Sequence, residues 1–251
     1  SIIMSGKAKI SSNIVNISNY KVIREIKNGA FGIVYLVEDL KTHQKLAAKV
    51  NIRNSDSIND SMISREIAIL IRIQSPTIIP FFGFSLKDFF GSSRVTILME
   101  YKENGSLQEL LEKERRSQAP HEYDNTAKQI ILCGIAHGMM ILHSRRVIHR
   151  DLKPSNILLD SEYQPYISDF GLLEFMDPEN TKCQSISGCG TTSYIAPEVF
   201  QGNHYSRKAD VYSFGILMYE IITGEEAFSD IIHNEQTTIE SFSSNIIEGM
   251  R

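Results

Sequence analysis

The strongest constraint on the fold is a change of hydrophobic period near residues 103–106. Before it, residues 20–26, 32–37 and 46–52 are short runs of β-branched and aromatic side chains separated by turn-rich or charged stretches, which predicts an antiparallel meander. Between residues 61 and 73, Met62, Ile63, Ile67, Leu70 and Ile71 recur at three- and four-residue steps, the mark of an amphipathic helix. Runs at 78–84 and 95–99 complete the sheet. Glu103, Asn104, Gly105 and Ser106 then break the pattern with turn residues, and the chain beyond them turns helical. Ile131, Ile135, Met139 and Leu142 share one face of residues 126–144; Val211, Phe214, Leu217, Met218 and Ile221 are expected to share the buried face of residues 209–223. The expected class is α+β and bilobal. A small lobe of antiparallel sheet with one helix spans residues 20–102, a larger, mainly α-helical lobe spans 103–251, and residues 1–19 form a leader.

Composition narrows the function. Hydrophobic residues make up 42% and charged residues 22%, the balance of a globular chain rather than a disordered one. No run supplies the ~20 apolar residues that a membrane span needs, and the first residues lack the pattern of a secretory signal. Lys plus Arg (26) against Asp plus Glu (30) leaves a net charge of −4, which gives no chain-wide attraction for nucleic acid or anionic membrane. Cys133, Cys183 and Cys189 cannot all pair and form no zinc spacing, so a reducing, cytoplasmic setting is expected. Cys183 and Cys189 are read as free thiols, with a redox pair as the alternative.

Chemistry concentrates in a few segments. Residues 28–34 (NGAFGIV) fall between two expected strands: they are either a hairpin turn or a loop whose glycines let backbone N–H groups approach phosphate. Lys49 lies in a strand between apolar neighbours, so it is either an edge cation facing water or a core lysine needing an anion, which Glu66 on the next helix could supply. Residues 149–156 (HRDLKPSN) pack a base, cations and an amide into one loop, as polar chemistry requires. Asp169, in the triplet Asp169-Phe170-Gly171, adds a second carboxylate, and Asn156 with Asp169 suits Mg2+, which takes few protein oxygens.

From about residue 20 to its end, the chain resembles a eukaryotic-type protein kinase domain. Residues 149–156 match the catalytic-loop pattern, 169–171 the metal-binding triplet, 196–198 (APE) the close of the activation segment, and 46–49 (LAAK) the strand bearing the phosphate-binding lysine, all in family order. The resemblance implies transfer of the γ-phosphate of ATP, bound with Mg2+ or with Mn2+ in the place of Mg2+, to Ser or Thr hydroxyls of protein substrates in intracellular signalling. Catalytic roles then fall to Asp151, Lys153, Lys49, Glu66 and Thr191, and metal binding to Asn156 and Asp169. The nucleotide would be held by Ile26, Gly29, Gly32, Val34, Ala47, Lys49, Met99, Glu100, Lys102, Ser106 and Leu158. Arg150, with Ser185 and Ser187, would regulate. Leu70, Phe81, His149 and Phe170 match the family's apolar spine, anchored by Asp210. Residues 104–107, 134–136, 210–215 and 248–251 are most similar to the tyrosine-kinase-like group of Ser/Thr kinases.

Two departures stand out. Lys27 replaces the first glycine of the phosphate loop, and the chain stops before the last helices that the resemblance leads one to expect, so a C-terminally truncated domain is the expectation. The rival function is a scaffold that keeps the kinase shape without transferring phosphate. Intact Lys49, Asp151, Asn156 and Asp169 argue against it.

Overall fold

The computed structural model describes residues 12–29, 32–54, 61–172, 174–175, 192–202, 205–233 and 237–249. Thr191, Ser185, Ser187, Cys183 and Cys189 lie outside the described residues. The chain packs as two compact units, Ser1–Lys102 and Glu103–Arg251.

In the first unit, strands β1 (Tyr20–Gly29), β2 (Gly32–Asp39), β3 (Lys45–Asn54), β4 (Phe81–Ser85) and β5 (Arg94–Glu100) form one sheet in the order β1-β2-β3-β5-β4. Every neighbouring pair is antiparallel. The period of two sorts side chains onto two faces. On one face Val37, Leu46, Ala48 and Leu98 form a dry core, joined by Val15, Tyr20, Val22, Tyr35 and Phe89. The cross-strand pairs Val34↔Lys49, Lys49↔Ile97, Leu36↔Ala47 and Ala47↔Met99 line the other. Helix α1 (Ser61–Arg72) contributes buried Glu66, Ile67, Ile69 and Leu70.

The residues before β1 pack onto this same unit. Asn16 caps a single 3-10 turn at Ile17–Asn19. Ile14 bridges to Phe84 in parallel, with Val15 N–H donating to the Phe84 carbonyl and Phe84 N–H to the Asn13 carbonyl, each at 2.9 Å. The free edge of β4 is thereby occupied, which removes a row of unpaired backbone groups. A side chain at Gly83 would not fit, since its Cβ would stand 2.5 Å from Val15 Cγ1 and 2.8 Å from the Asn13 carbonyl oxygen.

The second unit begins with α2 (Leu107–Arg115), started by a capping box between Ser106 and Glu109, and α3 (Asn125–Ser144), started by Asp124. Short strands follow: β6 (Val147–Ile148), β7 (Ile157–Leu159), β8 (Pro165–Ile167) and β9 (Glu174–Phe175), paired as β6–β9 and β7–β8. The remaining helices are α4 (Pro197–Phe200), α5 (Arg207–Thr223), α6 (Ser229–Ile232) and α7 (Ile239–Ile247). Helix α3 buries Ile131, Ile135, Met139 and Leu142 as its period predicts.

Helix α5 differs from expectation. Val211 is 61% and Met218 40% exposed, while Ala209, Asp210, Ser213, Leu217, Glu220 and Ile221 are buried. The buried stripe still keeps helical spacing, but half of it is polar. An apolar count therefore finds Leu217 and Ile221 but wrongly adds Val211 and Met218 and misses the polar half of the stripe, because hydrogen bonding rather than hydrophobicity makes those polar positions tolerable inside.

Gly83→Ala tests the edge bridge. Overpacking of this kind costs about 1–3 kcal/mol, so the variant should melt lower and be cut faster by protease within residues 12–15. A variant that matches the parent in both measurements would show that the segment does not occupy the β4 edge.

Candidate functional site

In the second unit, the loop between β6 and β7 is organised by one carboxylate. Asp210, 1% exposed on α5, accepts the backbone N–H of His149 on Oδ2 and that of Arg150 on Oδ1, both at 2.9 Å. His143 Nε2, from the last turn of α3, lies 2.7 Å from the same Oδ2. These donors explain how an anion survives in the core. Arg150 has φ +67°, a backbone state that non-glycine residues seldom adopt, and the two flanking bonds to Asp210 hold it there.

The buried His149 ring extends the order. Its Nε2 lies 3.3 Å from the Ser168 carbonyl, which can only accept, so Nε2 carries the proton and Nδ1 receives the Asp151 N–H at 3.3 Å. The ring also meets Phe170 edge-on at 5.9 Å. Asp151 is thus fixed through its backbone, and its side chain is fixed independently. Lys153 Nζ and Asn156 Nδ2 both sit 2.9 Å from Asp151 Oδ2, and the same amide nitrogen donates to the Asp151 carbonyl at 2.7 Å. Oδ1 receives no hydrogen bond from a described residue. The result is an oriented carboxylate with one oxygen held and the other available to a hydroxyl.

The β7–β8 hairpin brings the two expected metal ligands together. Ile157 pairs with Ile167, and just outside that pair the Asn156 carbonyl accepts Ser168 N–H at 2.8 Å and Ser168 Oγ at 3.0 Å. Asp169 follows at once, with φ +57°. Because the Asn156 amide nitrogen is committed to Asp151, its Oδ1 is the atom that could ligate a cation. No group of three or more His, Cys, Asp or Glu able to hold a metal occurs among the described residues. Two protein oxygens nevertheless fit a hard divalent cation that keeps phosphate and water ligands.

In the first unit, Lys49 Nζ lies 2.9 Å from Glu66 Oε1, with side chains 7% and 4% exposed. Lys49 is therefore the core lysine with an anionic partner, not the water-facing one. The glycines of the β1–β2 turn differ from each other. At Gly32 (φ +155°) a Cβ would collide with the Val50 carbonyl oxygen, so glycine is demanded by the sheet itself. At Gly29 the nearest atom to a Cβ among the described residues, its chain neighbours aside, is Gly32 O at 4.0 Å, so no described residue there bars a phosphate from approaching the backbone. Ile26 is 37% exposed, while Ala47 and Met99 are buried at 8% each. Val34 is half-buried. Lys102 is buried, with its ammonium 3.2 Å from Glu100 Oε2.

Ser106 and Leu158 belong to the second unit, where they bridge to each other. The Ser106 hydroxyl accepts Glu109 N–H as a helix cap at 3.4 Å. The Arg150 guanidinium stands 4.7 Å from the Tyr205 ring centre.

Sequence reasoning missed two sets of residues. The first is His143, whose role appears only when α3 meets α5. The second is buried Glu220, which accepts Tyr194 OH at 2.9 Å and Ala227 N–H at 3.1 Å and faces Arg115 at 3.5 Å. Burial pushes the Glu220 carboxyl upward against those bonds, and burial followed by the Glu220 charge holds the Tyr194 phenol protonated. A glutamate inside the apolar run of residues 216–222 was the available signal, since a buried carboxylate must have partners.

Residues 20–248 match the protein kinase domain model. The chain belongs to the protein kinase domain family, whose members use ATP and a divalent metal. It is 35% identical over 228 residues to a probable serine/threonine-protein kinase of Dictyostelium discoideum, covering 88% of this chain and 16% of that protein. It is 31% identical to mitogen-activated protein kinase kinase 1 of Arabidopsis thaliana over 89% of this chain and 60% of the relative. A probable LRR receptor-like serine/threonine-protein kinase of Arabidopsis thaliana is 35% identical over 82% of this chain and 20% of the relative. The chain thus spans less than two thirds of each of these relatives. No helix among the described residues is long and apolar enough to cross a membrane.

The two glycines should separate in experiment. Gly32→Ala should lower the melting temperature, whereas Gly29→Ala should melt with the parent and weaken MgATP binding in a titration. Equal destabilisation by both would contradict the division between a glycine required by the sheet and one left open to a ligand.

Proposed function

We propose that residues 20–251 act as a serine/threonine protein kinase domain, with residues 20–102 as its N-lobe and hinge and 103–251 as its C-lobe, of the tyrosine-kinase-like group. The observation that carries this reading is the Asp151 carboxylate, held on Oδ2 by Lys153 and Asn156 and bare of described donors on Oδ1. When bound, MgATP supplies the transferable phosphoryl group, and the Mg2+ spreads its charge. Asp151 orients the acceptor hydroxyl and takes its proton as the new O–P bond forms and the bond to ADP breaks. Lys153 neutralises charge beside it, Lys49 paired with Glu66 grips the phosphates, and Asn156 with Asp169 offers oxygens to the metal. Most of the rate then comes from positioning and preorganised charge.

Lys153 and Thr191 follow the Ser/Thr pattern, which supports Ser/Thr proteins as substrates. Arg150 is the cation toward which a phosphate on Ser185 or Ser187, added by an upstream activator, would be drawn. The exposed thiol of Cys133 accords with a reducing, cytoplasmic setting.

Asp151→Asn should keep MgATP affinity yet lose phosphoryl transfer by about two orders of magnitude or more, while Asp169→Ala should also lose metal-dependent nucleotide binding. Equal loss of binding in both would contradict the assigned roles. Nucleotide binding by the parent without transfer to any peptide would favour the scaffold. On a peptide array, the parent should label Ser and Thr in preference to Tyr; predominant phosphotyrosine would overturn the specificity.

A further inference from the structure

Lys27 stands where the family resemblance leads one to expect a glycine. The sheet register determines the face it occupies. Lys27 pairs with Val34, and Val34 pairs with Lys49. Residues directly opposite across an antiparallel ladder put their side chains on one face, so Lys27, Val34 and Lys49 form a single cross-strand row. The irregularity at Ile26 makes this so. Glu25 pairs with Tyr35, on the face of the dry core, and on a regular strand a residue two positions later would share that face; the extra residue sends Lys27 to the opposite one.

Charge separates the two lysines. Lys49 is buried and neutralised by Glu66 at 2.9 Å, so its pair brings little net charge to a polyanion. Lys27 is exposed and makes no ion pair with a described residue. Arg24, which also faces this way through its pairing with Leu36, donates to the Glu25 carbonyl at 3.2 Å and sits farther from the turn. With strands ~4.8 Å apart, the backbones of Lys27 and Lys49 are about 10 Å apart, a span that flexible lysine stems can close onto one phosphate chain.

We infer that Lys27 is a second phosphate-binding cation, adding at β1 the net positive charge that the Lys49–Glu66 pair lacks. The inference rests on the nucleotide site proposed above and adds a residue that the glycine pattern does not predict.

The test measures binding of MgATP, MgADP and adenosine to the 251-residue chain by titration calorimetry, for the parent, Lys27→Gln, Lys27→Arg and the control Lys21→Gln. Lys21 is exposed on the far end of the same strand. Lys27→Gln should weaken MgATP binding about two- to fivefold, the range of an exposed charge pair. Adenosine affinity should not change, Lys27→Arg should retain parental affinity, and the difference should shrink in high salt. The inference is overturned if Lys27→Gln binds MgATP like the parent, if it weakens adenosine equally, or if Lys21→Gln has the same effect. Lys49→Met reports on the underlying site: a parent that fails to bind MgATP, or binds it regardless of Lys49, overturns the nucleotide reading itself and this inference with it.

Discussion

The second unit depends on the Asp210 carboxylate. An ionised carboxylate in a protein core is tolerated only when donors replace its water, and here they are two backbone amides of the 149–156 loop and the ring of His143. The dependence runs both ways. Asp210 needs the loop to be buried safely, and the loop needs Asp210 to hold Arg150 at positive φ. From that clamp the order passes through His149 to Asp151 N–H, so Asp151, the candidate catalytic carboxylate, is set by bonds that begin on a helix and end on a loop.

This arrangement explains which parts of the fold were legible in the sequence. Strands β1, β2, β3 and β5 and helices α1 and α3 could be read from apolar period, because their neighbours demand only dry surface at regular spacing. The motif residues were legible from their fixed order. Of the buried face of α5 only Leu217 and Ile221 were legible, because Asp210, Ser213 and Glu220 are inside for reasons that hydropathy cannot register: their partners come from α3, the 149–156 loop and Tyr194, remote in sequence. The β1 irregularities and the bridge from Asn13–Val15 to Phe84 were equally hidden. Each is a matter of register, and register follows from pairing partners rather than from composition.

Hairpin β7–β8 shows how little machinery is needed to bring Asn156 and Asp169, the two candidate oxygen ligands, next to each other. Three strand residues on each side align Ile157 with Ile167, and the residues immediately outside the pairing are then neighbours without further help. Ser168 ties the junction with both its N–H and its hydroxyl to the Asn156 carbonyl. The Asn156 amide meanwhile turns its nitrogen toward Asp151, so one side chain orients that carboxylate and leaves its own oxygen to face elsewhere. A carboxylate at 156 could not do both, since it has no N–H to give.

The same economy couples chemistry to stability. Lys49 with Glu66, Asp210 with His143, and Glu220 with Arg115 and Tyr194 are charged or polar groups removed from water, each satisfied by residues of the same unit. Removing one member of such a set leaves its partner buried and uncompensated, at about 3–5 kcal/mol for an ion pair, a large share of a net stability of ~5–15 kcal/mol. Loss of activity on changing Lys49, Glu66 or Asp210 therefore mixes lost chemistry with lost fold. Asp151 and Lys27 are cleaner probes for opposite reasons. Asp151→Asn keeps the shape and the acceptor oxygen that Lys153 and Asn156 hold while removing the charge on which the proposed proton transfer depends, whereas the Lys27 side chain is exposed and makes no ion pair with a described residue, so what changes when it is replaced is the field that a ligand meets.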